Sequence, residues 1–190
     1  MGKQIWKPGN MLYPLPAVMV SVGDQTGRMN IITVAWTGTI CSDPAMLYIS
    51  VRPERYSYQM IHESGEFVVN LTTEKLLRAT DYCGVKSGRQ VDKWKEMKLT
   101  QRKAEFLKYA PVIEESPVNL ECTVTEVKAL GSHHMFMAEV KGVQVSEEFM
   151  ADNGKFELNK TGLLAYSHGE YLSLGKKLGT FGWSVKRKKK

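Results

Sequence analysis

The chain has 190 residues, 43% of them hydrophobic, with only three cysteines, which calls for one folded domain that needs no disulfide staples and excludes collagen-like and low-complexity classes. Its net charge of +6 points at first to nucleic acid, but Lys186, Arg187, Lys188, Lys189 and Lys190 carry five of those charges. The body, residues 1–185, is therefore nearly neutral, and residues 186–190 read as a solvated, disordered basic tail. Weak attraction to nucleic acid or an acidic membrane surface is the alternative use of that tail. No helix-turn-helix, zinc-finger or ribonucleoprotein motif accompanies it, so no specific nucleic-acid partner is expected.

Cys41, Cys83 and Cys122 are far apart and form no C-x-x-C pair, a pattern that fits a reducing compartment. Residues 1–10 lack the apolar core of a signal peptide, and no window reaches the length of a membrane helix. A cytoplasmic location away from the membrane follows, which makes the sequon Asn70-Leu71-Thr72 a chance match.

In chain order, Ala17–Val22 is an apolar run closed by the turn signal Gly23-Asp24-Gln25-Thr26-Gly27. Asn30–Trp36 is β-branched and pairs with it as a hairpin. Along this second strand Asn30, Ile32, Val34 and Trp36 point one way; Ile31, Thr33, Ala35 and Thr37 point the other. Asp43-Pro44 interrupts the chain before the apolar strand Met46–Val51. Arg55–His62 reads as a short helix, with Tyr58, Ile61 and His62 on one face, and Phe67–Leu71 as a strand. Thr73 is placed to cap a helix over Glu74–Tyr82 that ends at Gly84. Val85–Pro111 is polar and aperiodic, a long excursion of the kind that often carries function. Val118–Val127 alternates as a strand, and Met135–Val145 is a long strand with a possible bulge at Gly142. Two short helix-or-turn pieces, the brief run Leu163–Tyr166 and a tail with Gly175, Gly179 and Gly182 complete the chain.

These elements amount to about six strands joined by hairpins and excursions, with few helices, so a doubly wound α/β fold is excluded and a closed or split antiparallel barrel is expected. There is no G-x-G-x-x-G after a strand and no P-loop. Of the histidines, His62, His133, His134 and His168, none forms a metal-ligand spacing, and the adjacent His133 and His134 face opposite sides of their strand. No protein-held metal and no G-x-S-x-G nucleophile elbow are expected.

Four segments carry polar groups in useful places. Asn30–Thr39 presents amide, hydroxyl and indole groups at two-residue spacing, suited to a flat polar heterocycle; a half-buried amphipathic strand has the same pattern. Ser50–Ser57 ends a strand, turns at Pro53 and starts a helix, with Arg52, Arg55 and Ser57 beside the helix N-terminus, an arrangement that binds anions; an ordinary solvated cap looks alike. Gly84–Trp94 sets Ser87, Arg89 and Lys93 on a glycine-containing loop, again suited to a phosphate or simply solvated. In Gly131–Phe136 a histidine enters a strand from a turn, either donating to a bound ring or merely exposed. Together they describe a groove for a phosphorylated aromatic ligand.

The run N-I-I-T-V-A-W-T-G-T-I-C-S-D-P-A-M-L-Y-I-S-V-R-P-E-R-Y-S (residues 30–57) resembles the flavin reductase-like family, and its flavoredoxin branch in particular. The similarity continues through G-E-F-V-V-N-L (65–71), D-Y-C-G-V-K-S-G-R-Q-V-D-K-W (81–94), G-S-H-H-M-F-M-A-E-V (131–140) and Y-L-S-L-G-K-K-L-G-T-F-G (171–182). The resemblance implies a six-stranded FMN-binding split β-barrel, a homodimer with flavin near the subunit interface. It places Asn30, Thr33, Ala35, Trp36 and Thr37 along the isoalloxazine ring, beside the strand end Ser50, Val51 and Arg52. Arg55, Ser57 and Lys93 would hold the ribityl phosphate, with Ser87 nearby. His133 matches a flavin-contacting histidine, and Tyr166 a residue that covers the ring. His134 departs from the family's usual Asp or Thr.

The implied activity is redox: an FMN-dependent oxidoreductase passing electrons or hydride, with His133 as its catalytic candidate and NAD(P)H or a protein as donor. A non-enzymatic FMN electron carrier for protein partners is the alternative, and a basic nucleic-acid-binding barrel driven by the tail is the third.

Overall fold

The protein is described by a computed structural model covering residues 2–186; of the basic tail, Arg187–Lys190 lie outside the described residues. Its elements are Leu15–Pro16 (β1), Val18–Gly23 (β2), Met29–Val34 (β3), Thr37–Ser42 (β4), Ala45–Val51 (β5), the helix Tyr56–Ser64 (α1), Glu66–Leu71 (β6), the helices Leu77–Val85 (α2) and Lys93–Met97 (α3), Gln101–Arg102 (β7), Val112–Ile113 (β8), Val118–Leu130 (β9), His133–Val145 (β10), Leu164–Ser167 (β11) and Glu170–Ser173 (β12).

Seven strands form one antiparallel sheet in the order β3-β2-β6-β9-β10-β5-β4. Its two outermost strands, β3 and β4, follow each other in the chain with only Ala35 and Trp36 between them. They are one strand bent at that point, so the sheet curls round and its edges meet. Six strands were expected; the bend divides one of them and makes seven. At the bend the Thr37 amide donates to the Ala35 carbonyl at 3.0 Å and the Ser50 amide to the Trp36 carbonyl at 2.8 Å.

The barrel interior follows from strand alternation. Val20, Ile32, Ile49, Phe67, Cys122 and Phe136 from six strands meet in one buried cluster, plugged by Met60 and Ile61 of α1. The opposite faces of β2 and β3, Met19 and Ile31, pack outward on Leu76, Ala79 and Cys83 at α2 and Trp94 of α3. Both sides of β2 are thereby covered, which is why every residue of it is buried and its sequence is a continuous apolar run.

Three local expectations are corrected. The helix after Thr73 begins as a 3-10 turn, Glu74–Leu76, and Thr73 makes no side-chain cap. Gly84 does not end α2, which continues to Val85 and is closed by the Lys86 amide bonding to the Tyr82 carbonyl. The excursion after Val85 is structured, with α3 capped by Asp92, whose carboxylate accepts from the Trp94 and Lys95 amides at 3.1 and 3.2 Å. A bulge does occur beside Gly142, where the β9–β10 register shifts.

Two buried carboxylates strap this excursion to the barrel. Glu66 accepts the backbone amides of Lys108, Tyr109 and Ala110. Glu121, fully buried, accepts those of Glu105 and Phe106 at 3.1 and 2.7 Å and the Gln144 amide at 2.6 Å. The approach is so close that a Cβ at Gly23 would lie 2.0 Å from the Tyr109 carbonyl oxygen, so only glycine fits there. Removing an acceptor strands buried donors at about 1–3 kcal/mol each. Glu66→Ala should accordingly lower unfolding free energy by about 3 kcal/mol in urea titration, and a loss under half that would show the strap to be dispensable.

Candidate functional site

A cleft of about 710 Å3 opens beside the β3–β4 bend. A smaller cavity of about 370 Å3 adjoins it, with Ile32, Arg52 and Arg55 lining both. The bend aims Trp36 into the larger cleft. Across it, Trp36 faces His133 at the start of β10, their rings nearly parallel (15°) with centroids 6.4 Å apart. Strand alternation sends His134 the other way, where its Nδ1 and the Tyr58 hydroxyl share a 2.7 Å hydrogen bond.

Of the residues singled out from the sequence, Thr33, Ala35, Trp36, Ser50, Val51, Arg52, His133 and Tyr166 line the larger cleft. Asn30, Ser57, Ser87 and Lys93 line the smaller cavity, and Arg52 and Arg55 line both. Thr37 lines neither: its hydroxyl turns to donate to the Tyr48 carbonyl at 2.6 Å, so it holds the bend. Sequence reading passed over Asp81 and Tyr171, which border the same cleft. The Tyr171 hydroxyl donates to Asp81 at 3.4 Å, and burial with the Asp81 charge pushes its pKa up to about 12. Both begin blocks that carry the family resemblance, Asp81-Tyr82-Cys83-Gly84 and Tyr171-Leu172-Ser173-Leu174. The hairpin β11–β12 that carries Tyr166 and Tyr171 was hidden because each of its strands has only four residues.

The smaller cavity gathers Arg52, Arg55, Lys86, Arg89 and Lys93, with Glu54 as the carboxylate among its lining residues. It sits against the start of α1, where Arg55 precedes the helix without a side-chain cap and leaves the first backbone N–H groups free for an anion. Ser57 is buried and accepts from Asn30 Nδ2 at 2.8 Å, so its own hydroxyl proton is free. Lys93 is 3% exposed. Its Nζ donates to the Ile31 and Cys83 carbonyls at 2.6 and 2.8 Å, which spends two of its three protons and fixes the head group. Among the described residues no carboxylate pairs with it. Burial, aided by Arg55, pulls its pKa down to about 8, the mark of a buried cation without a counter-ion.

In the larger cleft, burial and the charges of Arg52 and Arg55 lower the pKa of His133, against an opposing pull from Glu54. Both effects favour the neutral imidazole, whose Nδ1 lies 2.9 Å from the Ser132 hydroxyl.

The flavin reductase like domain profile matches residues 11–175. The chain belongs to the flavin reductase-like family. Over 97% of its length it superposes on the whole of the flavoredoxin of Desulfovibrio vulgaris (Miyazaki F), with a TM-score of 0.89 at 29% identity, and on the whole of a flavoredoxin from Methanosarcina acetivorans, with 0.86 at 28%. An uncharacterized protein of Archaeoglobus fulgidus is 30% identical over 159 residues, 84% of this chain and 87% of that one. The bend and the residues that line both cavities, apart from Asn10, lie within the matched region.

The depressed pKa of Lys93 has a signed consequence. Between about pH 8 and 10.5 the unfolded chain keeps this proton while the folded chain has lost it, so the Lys93 contribution to stability rises with pH across that window. Cys83 and Tyr171, raised to about 11 and 12, work in the opposite direction; the informative quantity is therefore the difference between wild type and Lys93→Met. In ligand-free protein the stability of wild type relative to the variant should climb from pH 8 to 10.5, and a flat difference would show that Lys93 is not desolvated.

Proposed function

We propose that the protein is an FMN-dependent oxidoreductase that passes electrons or hydride through FMN held in this groove. The observation that carries the reading is the joined pair of cavities: one wide and flanked by flat rings, the other narrow and ending on a buried, anion-free lysine beside an open helix terminus. That shape and charge suit a tricyclic ring with a phosphate at the end of a short chain. FMN, when bound, supplies the redox chemistry, and the protein supplies binding and electrostatics.

In this reading Asn30, Thr33, Ala35 and Trp36, with the strand end Ser50, Val51 and Arg52, line the ring, and Tyr166 covers it. Arg55, Ser57 and Lys93 hold the phosphate, with Ser87 beside them. Thr37 serves the ring indirectly by fixing the bend. Arg52 and Arg55 place positive potential at the junction of the cavities and favour negative charge on the bound group. His133, with its neutral form favoured, offers a hydrogen bond or a proton as that charge develops.

The active form is a homodimer. In support, both terminal arms are apolar and exposed in the single chain: Ile5, Trp6 and Leu12 at one end, Leu178, Phe181 and Trp183 at the other. The three unpaired thiols accord with the reducing cytoplasm, and no helix among the described residues is long and apolar enough to cross a membrane.

FMN should bind about 100-fold more tightly than riboflavin, the worth of charge-assisted phosphate contacts, in protein that sediments at twice the chain mass. Lys93→Met should erase at least about tenfold of that preference. Colourless protein that takes up no FMN at high concentration overturns the reading.

A second reading, an electron carrier for protein partners, rests on the flavoredoxin likeness. Stopped-flow mixing of the flavin-loaded protein with NADH and NADPH separates the two. Fast bleaching supports the enzyme, with His133→Ala slowing it about 10–100-fold while flavin is retained; inertness to both favours the carrier. Unchanged rates in that variant would remove His133 from electron transfer.

A further inference from the structure

His133 has few restraints of its own. It is the first residue of β10, reached from β9 through Gly131 and Ser132, with Gly131 in the left-handed region at φ 75°. On one side it pairs with Leu130. On the other, the ladder with β5 begins only at the next residue, His134, opposite Val51. β6 pairs with β9 only over residues 119–123, so the tip that carries His133 is a two-stranded ribbon, which is marginally stable by itself. The hydrogen bond at His133 Nδ1 goes to Ser132 of the same turn and fixes nothing beyond it.

The first anchor past the tip is His134. Strand alternation points it to the same side as the buried Phe136, where its Nδ1 meets the Tyr58 hydroxyl at 2.7 Å. Tyr58 is itself held by rings. Phe136 and His134 meet it edge-on, each with centroids 5.3 Å away, and His62, one helical turn further on, stacks on it at 6.0 Å. The helix beneath is plugged into the barrel by Met60 and Ile61. Tyr58 directly follows Ser57, which lines the smaller cavity and accepts from Asn30. Two successive residues of α1 thus tie to two strands, Ser57 to β3 and Tyr58 to β10. A tyrosine hydroxyl donates to Nδ1 of a neutral imidazole and accepts from the Nδ1–H of an imidazolium, so the second link persists whatever the charge of His134.

We propose that Tyr58 and His134 are positioning residues for His133: their hydrogen bond clasps the start of β10 to the first turn of α1 and so holds His133 opposite Trp36. The proposal rests on the flavin reading above for what His133 does, but not for where His133 is held.

NMR titration of the histidine rings in the ligand-free, full-length protein tests the position. The His133 signal is the one that disappears in His133→Ala. Burial, then Arg52 and Arg55, hold its pKa down, against Glu54. In Tyr58→Phe, which keeps the ring and loses the hydroxyl, the midpoint should move up, because burial is lost first when the tip swings out. His134→Leu should have the same effect. His134→Asn, whose amide can take the place of Nδ1, should return the midpoint toward wild type. Tyr58 and His134 are only half-buried, and a merely structural role would lower the unfolding free energy and leave the His133 midpoint where it was. In the flavin-loaded protein, Tyr58→Phe should slow reduction by NADH or NADPH about fivefold, the equivalent of one net hydrogen bond, and should change nothing further in a His133→Ala background. An unmoved midpoint in both Tyr58→Phe and His134→Leu would falsify the clasp, and equal slowing with and without His133 would overturn it as well. Failure of flavin to bind overturns the flavin reading and leaves the titration to decide the clasp.

Discussion

The architecture depends on one interruption of one strand. β3 and β4 are continuous in sequence, yet they lie at opposite edges of the same sheet. The two residues between them satisfy the backbone locally, Thr37 to Ala35, and across the gap, Ser50 to Trp36. A straight strand would leave two unpaired edges; the bend joins them and closes the barrel. It also interrupts side-chain alternation, which turns Trp36 outward to face His133 and leaves Thr37 to pin the turn through Tyr48. The core and the cleft therefore have a common cause.

The groove next to this bend carries an excess of positive charge at one place. Arg52, Arg55 and Lys93 gather toward the start of α1, with Glu54 beside them, and Asp81, hydrogen-bonded by Tyr171, borders the large cleft. Positive potential at such a place attracts negatively charged groups before close contact forms.

Much of the scaffold was legible in the sequence because its determinants are local. The hairpin Ala17–Trp36 follows from β-branched runs on either side of a turn cluster, and the observed register pairs Val18 with Val34 and Val22 with Asn30. The opposite facing of His133 and His134 follows from strand alternation alone. What escaped reading depends on partners distant in sequence. Nothing near Glu66 or Glu121 announces that their carboxylates will receive amides some 40 and 15 residues further along or back. The excursion they strap looked irregular because its order comes from those carboxylates rather than from its own periodicity. Gly84 looked like a helix terminator, but a Cβ there would sit 3.3 Å from Thr33, so its small size serves helix–strand contact. In the candidate site, Arg52, Arg55, Ser57, Ser87 and Lys93 stood out by their chemistry, Ser50, Val51 and Tyr166 by the family resemblance, and the fold brings all of them to the two adjoining cavities. Asp81 and Tyr171 were missed because an exposed acid on a helix and a tyrosine in a four-residue strand carry no signal until the fold brings them together.

Lys93 ties the site to the stability of the fold. The folded chain keeps a desolvated cation whose head group meets carbonyl dipoles at Ile31 and Cys83. An anion bound there would favour the folded chain over the unfolded one by mass action, so the protein would gain stability in step with the concentration of such an anion.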